Sequence, residues 1–307
     1  MAEVAGIIAP VFILILLGAS ARVSQLLDTA GMRGLNDLTF YLAIPALLFG
    51  AVVEAPAFQV FDLALLYFAG CLAVFAAAVL LARRFLGVRL AQAAVIGLNS
   101  CYGNTVMLGI PIVSTAFGPE GLAVVLPVVA LHSILLLPLA TALIEADGRT
   151  GIGFAGIFRQ VVPGMVRNPI IVAILLAMAW RGLGAPVPVP LHRLLALLGG
   201  AGPMLALFTL GAGLPDFAAQ GSAREAGLAT ILKLVVLPVL VWGLAHLAGL
   251  GPMPAAVAVL TAGMPTGANA FFLARRTGTL AAASAGTVVV STALSVLTLS
   301  AILALLR

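Results

Sequence analysis

The sequence has 307 residues, of which 63% are hydrophobic and 8% are charged, and its mean hydropathy is +1.24. Soluble domains carry about 25% charged residues, so this composition excludes a soluble globular protein and indicates a chain embedded in the lipid bilayer. The net charge of +5 is carried mostly by arginines between apolar runs and predicts no nucleic-acid partner. The cysteines, Cys71 and Cys101, lie in apolar runs without the spacing of a zinc or redox motif, so we predict no metal site.

We predict ten transmembrane helices, because apolar runs near the ~20 residues needed to cross a bilayer recur along the whole chain. The strand alternation that is typical of a membrane barrel is absent. The first run ends in a sequence that resembles a cleavage site, but its start has Glu3 and no base before Arg22, so we predict a retained helix. The ten predicted segments are 4–21, 35–53, 62–82, 90–117, 121–143, 166–182, 191–213, 225–248, 254–275 and 279–306.

The arginines predict the orientation of these helices. If the N-terminus lies outside, eleven arginines fall on the inner side and three on the outer side, as the positive-inside rule requires. We therefore predict a multi-pass protein of the plasma (inner) membrane with both termini on the outer side. The inner arginines are Arg22, Arg33, Arg83, Arg84, Arg89, Arg149, Arg159, Arg167, Arg224, Arg275 and Arg276, and the outer ones are Arg181, Arg193 and Arg307.

The two halves of the chain resemble each other. The stretch GNTVMLGIP (103–111) has a counterpart in GMPTGANAF (263–271), and Asn104 and Asn269 occupy similar places in the two stretches. Each stretch lies in the fourth helix of its half, and five helices per half place the second half upside down in the membrane. This pattern indicates an inverted repeat. We predict a first repeat at 1–145, a cytoplasmic linker at 146–165 and a second repeat at 166–307.

Both fourth helices contain residues that interrupt a helix. A glycine in a helix interior costs about 1 kcal/mol relative to alanine and a proline about 3, so each set of three disfavours a continuous helix by roughly 5 kcal/mol. Unwound backbone cannot face lipid, because its N–H and C=O groups would lack partners. We therefore predict that helices 4 and 9 are broken and meet inside the protein. The structural residues of the two breaks are Gly103, Gly109, Pro111, Gly263, Pro265 and Gly267.

Two broken helices that cross would present two helix N-termini, which carry partial positive charge and free N–H donors. Asn104 and Asn269 would add amides and Thr105 and Thr266 hydroxyls, so we predict a pocket for a small anion. Neither broken helix contains Asp or Glu, which disfavours a cation exchanger. We place Lys233 at this site as a counter-charge for the anion or a support for a broken helix, with snorkelling to the inner interface as its alternative.

Four stretches resemble the auxin efflux carrier family, which includes the plant PIN transporters and bacterial permeases. They are GNTVMLGIPIV (103–113), RNPIIVAILLA (167–177), LKLVVLPVL (232–240) and GMPTGANAFFLARRTG (263–278). The resemblance implies a 5+5 inverted repeat with crossed helices 4 and 9, as in sodium/proton antiporters and bile-acid symporters, with scaffold and core domains each assembled from both repeats. It also implies a homodimer, alternating access and an organic anion as substrate. Plant members have a proline where this chain has Ala270, and a long hydrophilic insert where this chain has about 20 residues.

We predict from these observations a secondary carrier of a small organic anion, a carboxylate, and no enzyme. No resident cofactor is predicted, and H⁺ and Na⁺ are the candidate coupling ions. The alternatives are a sodium-coupled symporter of the bile-acid type and a membrane sensor that transports nothing. An intramembrane enzyme would need a paired-Asp, His-Glu zinc or serine-elbow motif, and none of these is found. Malonate, malate and auxin-like acids are the candidate substrates.

Overall fold

The chain is mostly helical in the part that a computed structural model describes, residues 2–54, 61–147, 168–217 and 223–306. Most of the predicted linker, from residue 148 on, and the first two residues of the second predicted repeat lie outside the described residues. The α-helices are α1 (Ala2–Val23), α2 (Thr29–Leu38), α3 (Ile44–Glu54), α4 (Phe61–Leu81), α5 (Leu90–Cys101), α6 (Ile110–Ala146), α7 (Pro169–Gly182), α8 (Val189–Gly213), α9 (Ala223–Ile231), α10 (Leu237–Leu247), α11 (Pro252–Ala262), α12 (Ala268–Arg276) and α13 (Ala281–Leu306).

Within the described residues, seven continuous helical stretches are long and apolar enough to cross a membrane, and three shorter apolar helices accompany them. The longest stretch, Thr105–Ala146, is 42 residues long. It is bent at Gly118, whose φ of 64° and ψ of −158° are not helical, and Pro119 follows the bend. This bend lies between the predicted segments 90–117 and 121–143. The fold is thus that of an all-helical, multi-pass membrane protein.

Three short π-helical turns each end two residues before a proline. They are Thr39–Ala43 before Pro45, Thr105–Gly109 before Pro111 and Leu232–Val236 before Pro238. A proline in a helix has no N–H to donate, and its ring collides with the carbonyl oxygen four residues earlier. A wider turn, with bonds between residues five apart, relieves this collision. Continuous helices therefore pass through proline positions that the sequence alone would assign to helix ends.

The helices that lead into the two predicted breaks are the most deeply buried ones. In α5 all the residues from 93 to 101 are buried, and in α11 all the residues from 256 to 262 are buried. Alanine, glycine and serine are frequent in α5, which allows neighbouring helices to approach it from every side. Both interruptions therefore follow helices that are surrounded by protein, as unwound backbone requires.

Helices α1 and α8 touch through their backbones. A Cβ atom placed on Gly18 would lie 2.0 Å from the carbonyl oxygen of Phe208, and one on Gly211 would lie 1.9 Å from the carbonyl oxygen of Ile15. No side chain fits at either position. The two glycines therefore set the distance between α1 and α8, which is how small residues act in membrane helix pairs.

This contact predicts the effect of adding one methyl group. Replacing Gly211 by Ala forces α1 away from α8, and overpacking of this kind costs about 1–3 kcal/mol. The variant Gly243→Ala is the matched control, because no atom lies within 4 Å of the added methyl in α10. We expect the thermal unfolding midpoint in detergent to fall for Gly211→Ala and to stay or rise for Gly243→Ala. Equal midpoints would contradict the close approach.

Candidate functional site

Two interrupted helices lie side by side in the structure. Helix α5 ends at Cys101, and helical structure resumes at Thr105, while α11 ends at Ala262 and α12 begins at Ala268. The first gap contains Gly103, and the second contains Gly263, Pro265 and Gly267. Gly109 and Pro111, which the sequence analysis also placed in the first break, lie in the π turn Thr105–Gly109 and at the start of α6, because the π turn carries the helix through the proline. The structure thus interrupts the chain where the sequence predicts breaks in the fourth and ninth segments.

The two gaps pair with each other as a short antiparallel bridge between Gly103 and Thr266. The N–H of Asn104 donates to the carbonyl oxygen of Pro265 at 2.7 Å, and the N–H of Gly267 donates to the carbonyl oxygen of Tyr102 at 2.9 Å. Each interruption therefore supplies the hydrogen-bond partners that the other has lost. A proline is compatible with this arrangement, since Pro265 contributes only its carbonyl group.

Gly267 allows the two chains to approach. A Cβ atom at this position would lie 3.0 Å from the carbonyl oxygen of Gly103 and 3.1 Å from two carbon atoms of the Tyr102 ring. Any larger residue would have to displace the backbone of the first gap. The glycine at position 267 thus serves the pairing itself as well as the break in the helix.

Polar groups behind the bridge bond to backbone and to one another rather than to a cavity. Thr266 is fully buried, its hydroxyl donates to the carbonyl oxygen of Asn99 at 2.8 Å, and its N–H donates to Ser291 Oγ at 3.0 Å. Ser284 donates to Asn99 Oδ1 at 2.8 Å. Thr266, which the sequence places in the anion pocket, therefore faces the protein interior in this structure.

Two basic side chains lie against the gaps on this buried side, one at Gly103 and one at the end of α11. His132 Nε2 accepts a hydrogen bond from the N–H of Gly103 at 2.9 Å. Lys233 is 0% exposed, and its Nζ donates to the carbonyl oxygen of Ala262 at 2.5 Å. The alternative in which Lys233 snorkels to the interface is wrong, because the side chain is enclosed at the end of α11.

A cavity of about 480 Å³ opens on the other face of the bridge. Ligand pockets typically have about 300–1,000 Å³. Five of the predicted site and crossover residues line this cavity, namely Gly103, Asn104, Thr105, Gly267 and Asn269. The other six do not, namely Gly109, Pro111, Lys233, Gly263, Pro265 and Thr266. The opposite wall comes from α2, the π turn Thr39–Ala43 and α8, and includes Met32, Asn36, Phe40, Thr209 and Leu210.

The cavity receives hydrogen-bond donors that have no partner among the described residues. Helix α12 starts in the cavity without a side-chain cap, and the N–H groups of Ala268 and Asn269 make no hydrogen bond within that part of the chain. Asn104 Oδ1 accepts from the N–H of Met107 at 3.2 Å, which leaves its Nδ2 unbonded. A helix N-terminus with free donors is a site for negative charge.

Tyr102 is a residue of this site that the sequence analysis did not identify. Its hydroxyl accepts a hydrogen bond from Asn269 Nδ2 at 2.9 Å and shares another with Ser133 Oγ at 2.6 Å. The tyrosine thus connects the two interrupted helices and holds the side chain of Asn269. The sequence feature that could have identified Tyr102 is its position directly before Gly103, where an aromatic residue follows the end of a helix.

Charged side chains stand at the rim of the cavity. Arg275 lines it at the end of α12, and Asp216 lines it beside α8. Asp216 forms an ion pair with Arg22 at 3.5 Å, so its negative charge is partly balanced. Aromatic rings complete the rim, with Phe217 and Phe271 in edge-to-face contact at 5.1 Å between centroids.

The known proteins that this chain resembles are described as membrane transporters. The model of the family described as "Membrane transport protein" matches residues 4–151 and 154–303. A protein of Rhizobium meliloti named "Putative malonate transporter" is 29% identical over 317 residues, which cover 100% of this chain and 97% of that protein. A protein of Methanothermobacter thermautotrophicus named "Uncharacterized transporter" is 25% identical over 268 residues, which cover 86% of this chain and 85% of that protein.

The cavity predicts which side chains a water-soluble reagent can reach. In a background without Cys71 and Cys101, both of which are buried, a cysteine at position 269 should react with a negatively charged methanethiosulfonate. A cysteine at position 266 is the matched control, since Thr266 is 0% exposed. We expect the first to react at least about tenfold faster, because only accessible thiolates react efficiently. Equal rates would contradict the assignment of the cavity face.

Proposed function

Because the chain belongs to the Membrane transport protein family, we propose that this transporter carries a small organic anion, a carboxylate, bound where the two interrupted helices meet. Membership in this family confirms the resemblance to the auxin efflux carriers and makes the protein a transporter rather than an enzyme. The relative from Rhizobium meliloti is named for malonate. Malonate is therefore the first substrate that we would test.

The observation that carries this proposal is the uncapped N-terminus of α12 in the cavity. Ala268 and Asn269, whose N–H groups have no partner in the described part of the chain, line this space together with Asn104. A carboxylate accepts such hydrogen bonds and gains from the positive end of the helix dipole. Arg275 at the rim adds a full positive charge on the entry path, while Asp216 is paired with Arg22.

We place the substrate between two walls that belong to different parts of the molecule. One wall is the paired interruption, and the other comes from α2, the π turn Thr39–Ala43 and α8. Alternating access by movement of a core that contains the interruption against a scaffold that contains α1 and α8 fits this division. It also fits the predicted 5+5 repeat, with 1–145 and 166–307 as its halves.

The proposal also covers the membrane, the orientation, the oligomeric state and the coupling ion of the carrier. We assign it to the inner membrane with both termini outside, because the arginines are distributed in that sense, and we expect a homodimer. Either H⁺ or Na⁺ would couple transport to an ion gradient. Flux of labelled malonate into proteoliposomes, measured with imposed pH gradients and with Na⁺ gradients, tests the substrate and the coupling ion together.

The two asparagines provide the central test of the site. Asn104→Ala and Asn269→Ala each remove one amide side chain that lines the cavity. We expect each variant to lose at least about tenfold in malonate flux, because a hydrogen bond to a charged group contributes about 1.5–3 kcal/mol. The control is Asn168→Ala. Asn168 caps α7 by accepting from the N–H of Ile170 at 2.9 Å and does not line the cavity.

In this comparison Asn168→Ala should retain flux and lose about 1 kcal/mol of stability, the usual cost of a lost helix cap. Membrane insertion is checked for all three variants by their yield and elution profile in detergent. Wild-type flux in Asn104→Ala or Asn269→Ala would remove the substrate site from the interruption.

Variants of two neighbouring arginines distinguish attraction of the substrate to the cavity from a general effect of surface charge. Arg275 lines the cavity and Arg276 does not, although both are exposed at the end of α12. We expect Arg275→Gln to raise the KM for malonate about 3–10-fold at low ionic strength, because a charge at a cleft concentrates its counter-ion. Added salt should reduce this difference. Arg276→Gln should leave the KM within about twofold of wild type, and equal effects would contradict the role of Arg275.

A further inference from the structure

Lys233 is the single lysine of the sequence, and it is 0% exposed. It extends from the π turn Leu232–Val236 to the end of α11, where its Nζ contacts the carbonyl oxygen of Ala262. Burial of an ammonium group in a membrane protein is costly, and such residues usually have a function. The cavity for the anion does not include Lys233, so its function is not to bind the substrate directly.

The groups around the ammonium are those that would bind a cation. Ala262 is the last residue of α11, and Cys101 is the last residue of α5. A Cβ atom on Gly103 would lie 3.4 Å from both Nζ and Cε of Lys233, so the ammonium also lies against the backbone that follows α5. Helix C-termini carry partial negative charge. Lys233 therefore lies where the negative ends of both interrupted helices come together.

No acidic side chain competes for this ammonium in the described part of the chain. None of the carboxylates there lies within 4 Å of Nζ. The titratable side chains that face it are the thiols of Cys71 and Cys101, from α4 and α5, and the imidazole of His132 from α6. Backbone carbonyl groups thus provide its negative partners.

In transporters with interrupted helices, carbonyl groups of unwound backbone and helix C-termini form the sites for a coupling Na⁺. On the basis of the proposed function, we propose that Lys233 is a covalently attached cation that occupies the place of such an ion. The ammonium balances the two helix C-termini on one face of the bridge, while the uncapped N-terminus of α12 remains available to the anion on the other face. Transport then needs no Na⁺, and Lys233 acts as a positioning residue through Gly103 and Ala262.

The first arm of the test uses the unchanged protein. Labelled malonate flux is compared in NaCl, KCl and choline chloride at equal ionic strength and equal pH gradient. We expect the three rates to agree within about twofold, since no diffusible metal cation takes part. A tenfold or greater requirement for Na⁺ in the wild-type protein would overturn the proposal.

The second arm removes the ammonium. Lys233→Met keeps the length of the side chain without its charge, and we expect at least a tenfold loss of flux. Ile231→Met is the matched control, because Ile231 lies two residues away and is 60% exposed. Lys233→Ala leaves space at the same place, so we expect methylammonium, ethylammonium or Na⁺ to restore part of its flux. Unchanged flux in Lys233→Met, or no rescue of a folded Lys233→Ala protein by any of these cations, would overturn the proposal.

The third arm does not depend on transport and separates failure of this inference from failure of the proposed function. Thermal unfolding of wild type and Lys233→Ala is measured in choline, Na⁺ and methylammonium salts. A cation that binds only the folded protein raises its midpoint. We expect the small cations to raise the midpoint of Lys233→Ala and not that of wild type. This result would support the cation site even if malonate were not transported, and equal midpoints in all salts for Lys233→Ala would reject it.

Discussion

One requirement governs this structure. Where water is absent, backbone N–H and C=O groups need hydrogen-bond partners within the protein. A helix satisfies these groups internally, and an interrupted helix does not. Here two interruptions share one solution, in which Asn104 donates to Pro265 and Gly267 donates to Tyr102. Each break would be costly alone, so the second gap is a condition for the first. The deep burial of α5 and α11 follows from the same need.

The bridge also separates charge across its two faces. On one face the carbonyl end of α11 contacts Lys233, and His132 accepts the N–H of Gly103. On the other face the N-terminus of α12 is open to the cavity. Under the proposed function, such a site would attract an anion with dipoles and amides, while the buried ammonium of Lys233 stays outside the cavity. A carboxylate bound there would form no ion pair with Lys233.

The sequence predicts the positions of the breaks well, because Gly103, Pro265 and Gly267 act on their own local backbone. It does not predict which side chains face the cavity. Thr105 and Thr266 are the same residue type, one beside each break, yet Thr105 lines the cavity and Thr266 bonds to Asn99. That choice depends on how the two gaps pair, which is a property of the tertiary structure. The role of Tyr102 is hidden for the same reason, since its partner Asn269 is 167 residues away.

The contact of α1 with α8 through Gly18 and Gly211 has a mechanical consequence. Because backbone touches backbone there, no rotamer change can absorb a shift between the two helices. A shift of either helix by one residue would replace the glycine at the contact by a neighbour with a Cβ atom, Leu17 or Ala19 in α1 and Leu210 or Ala212 in α8. The two helices therefore move as one rigid unit. Under the proposed function, a motion that exposes the anion to the other side of the bilayer would have to occur at helix contacts that are made by side chains rather than by backbone.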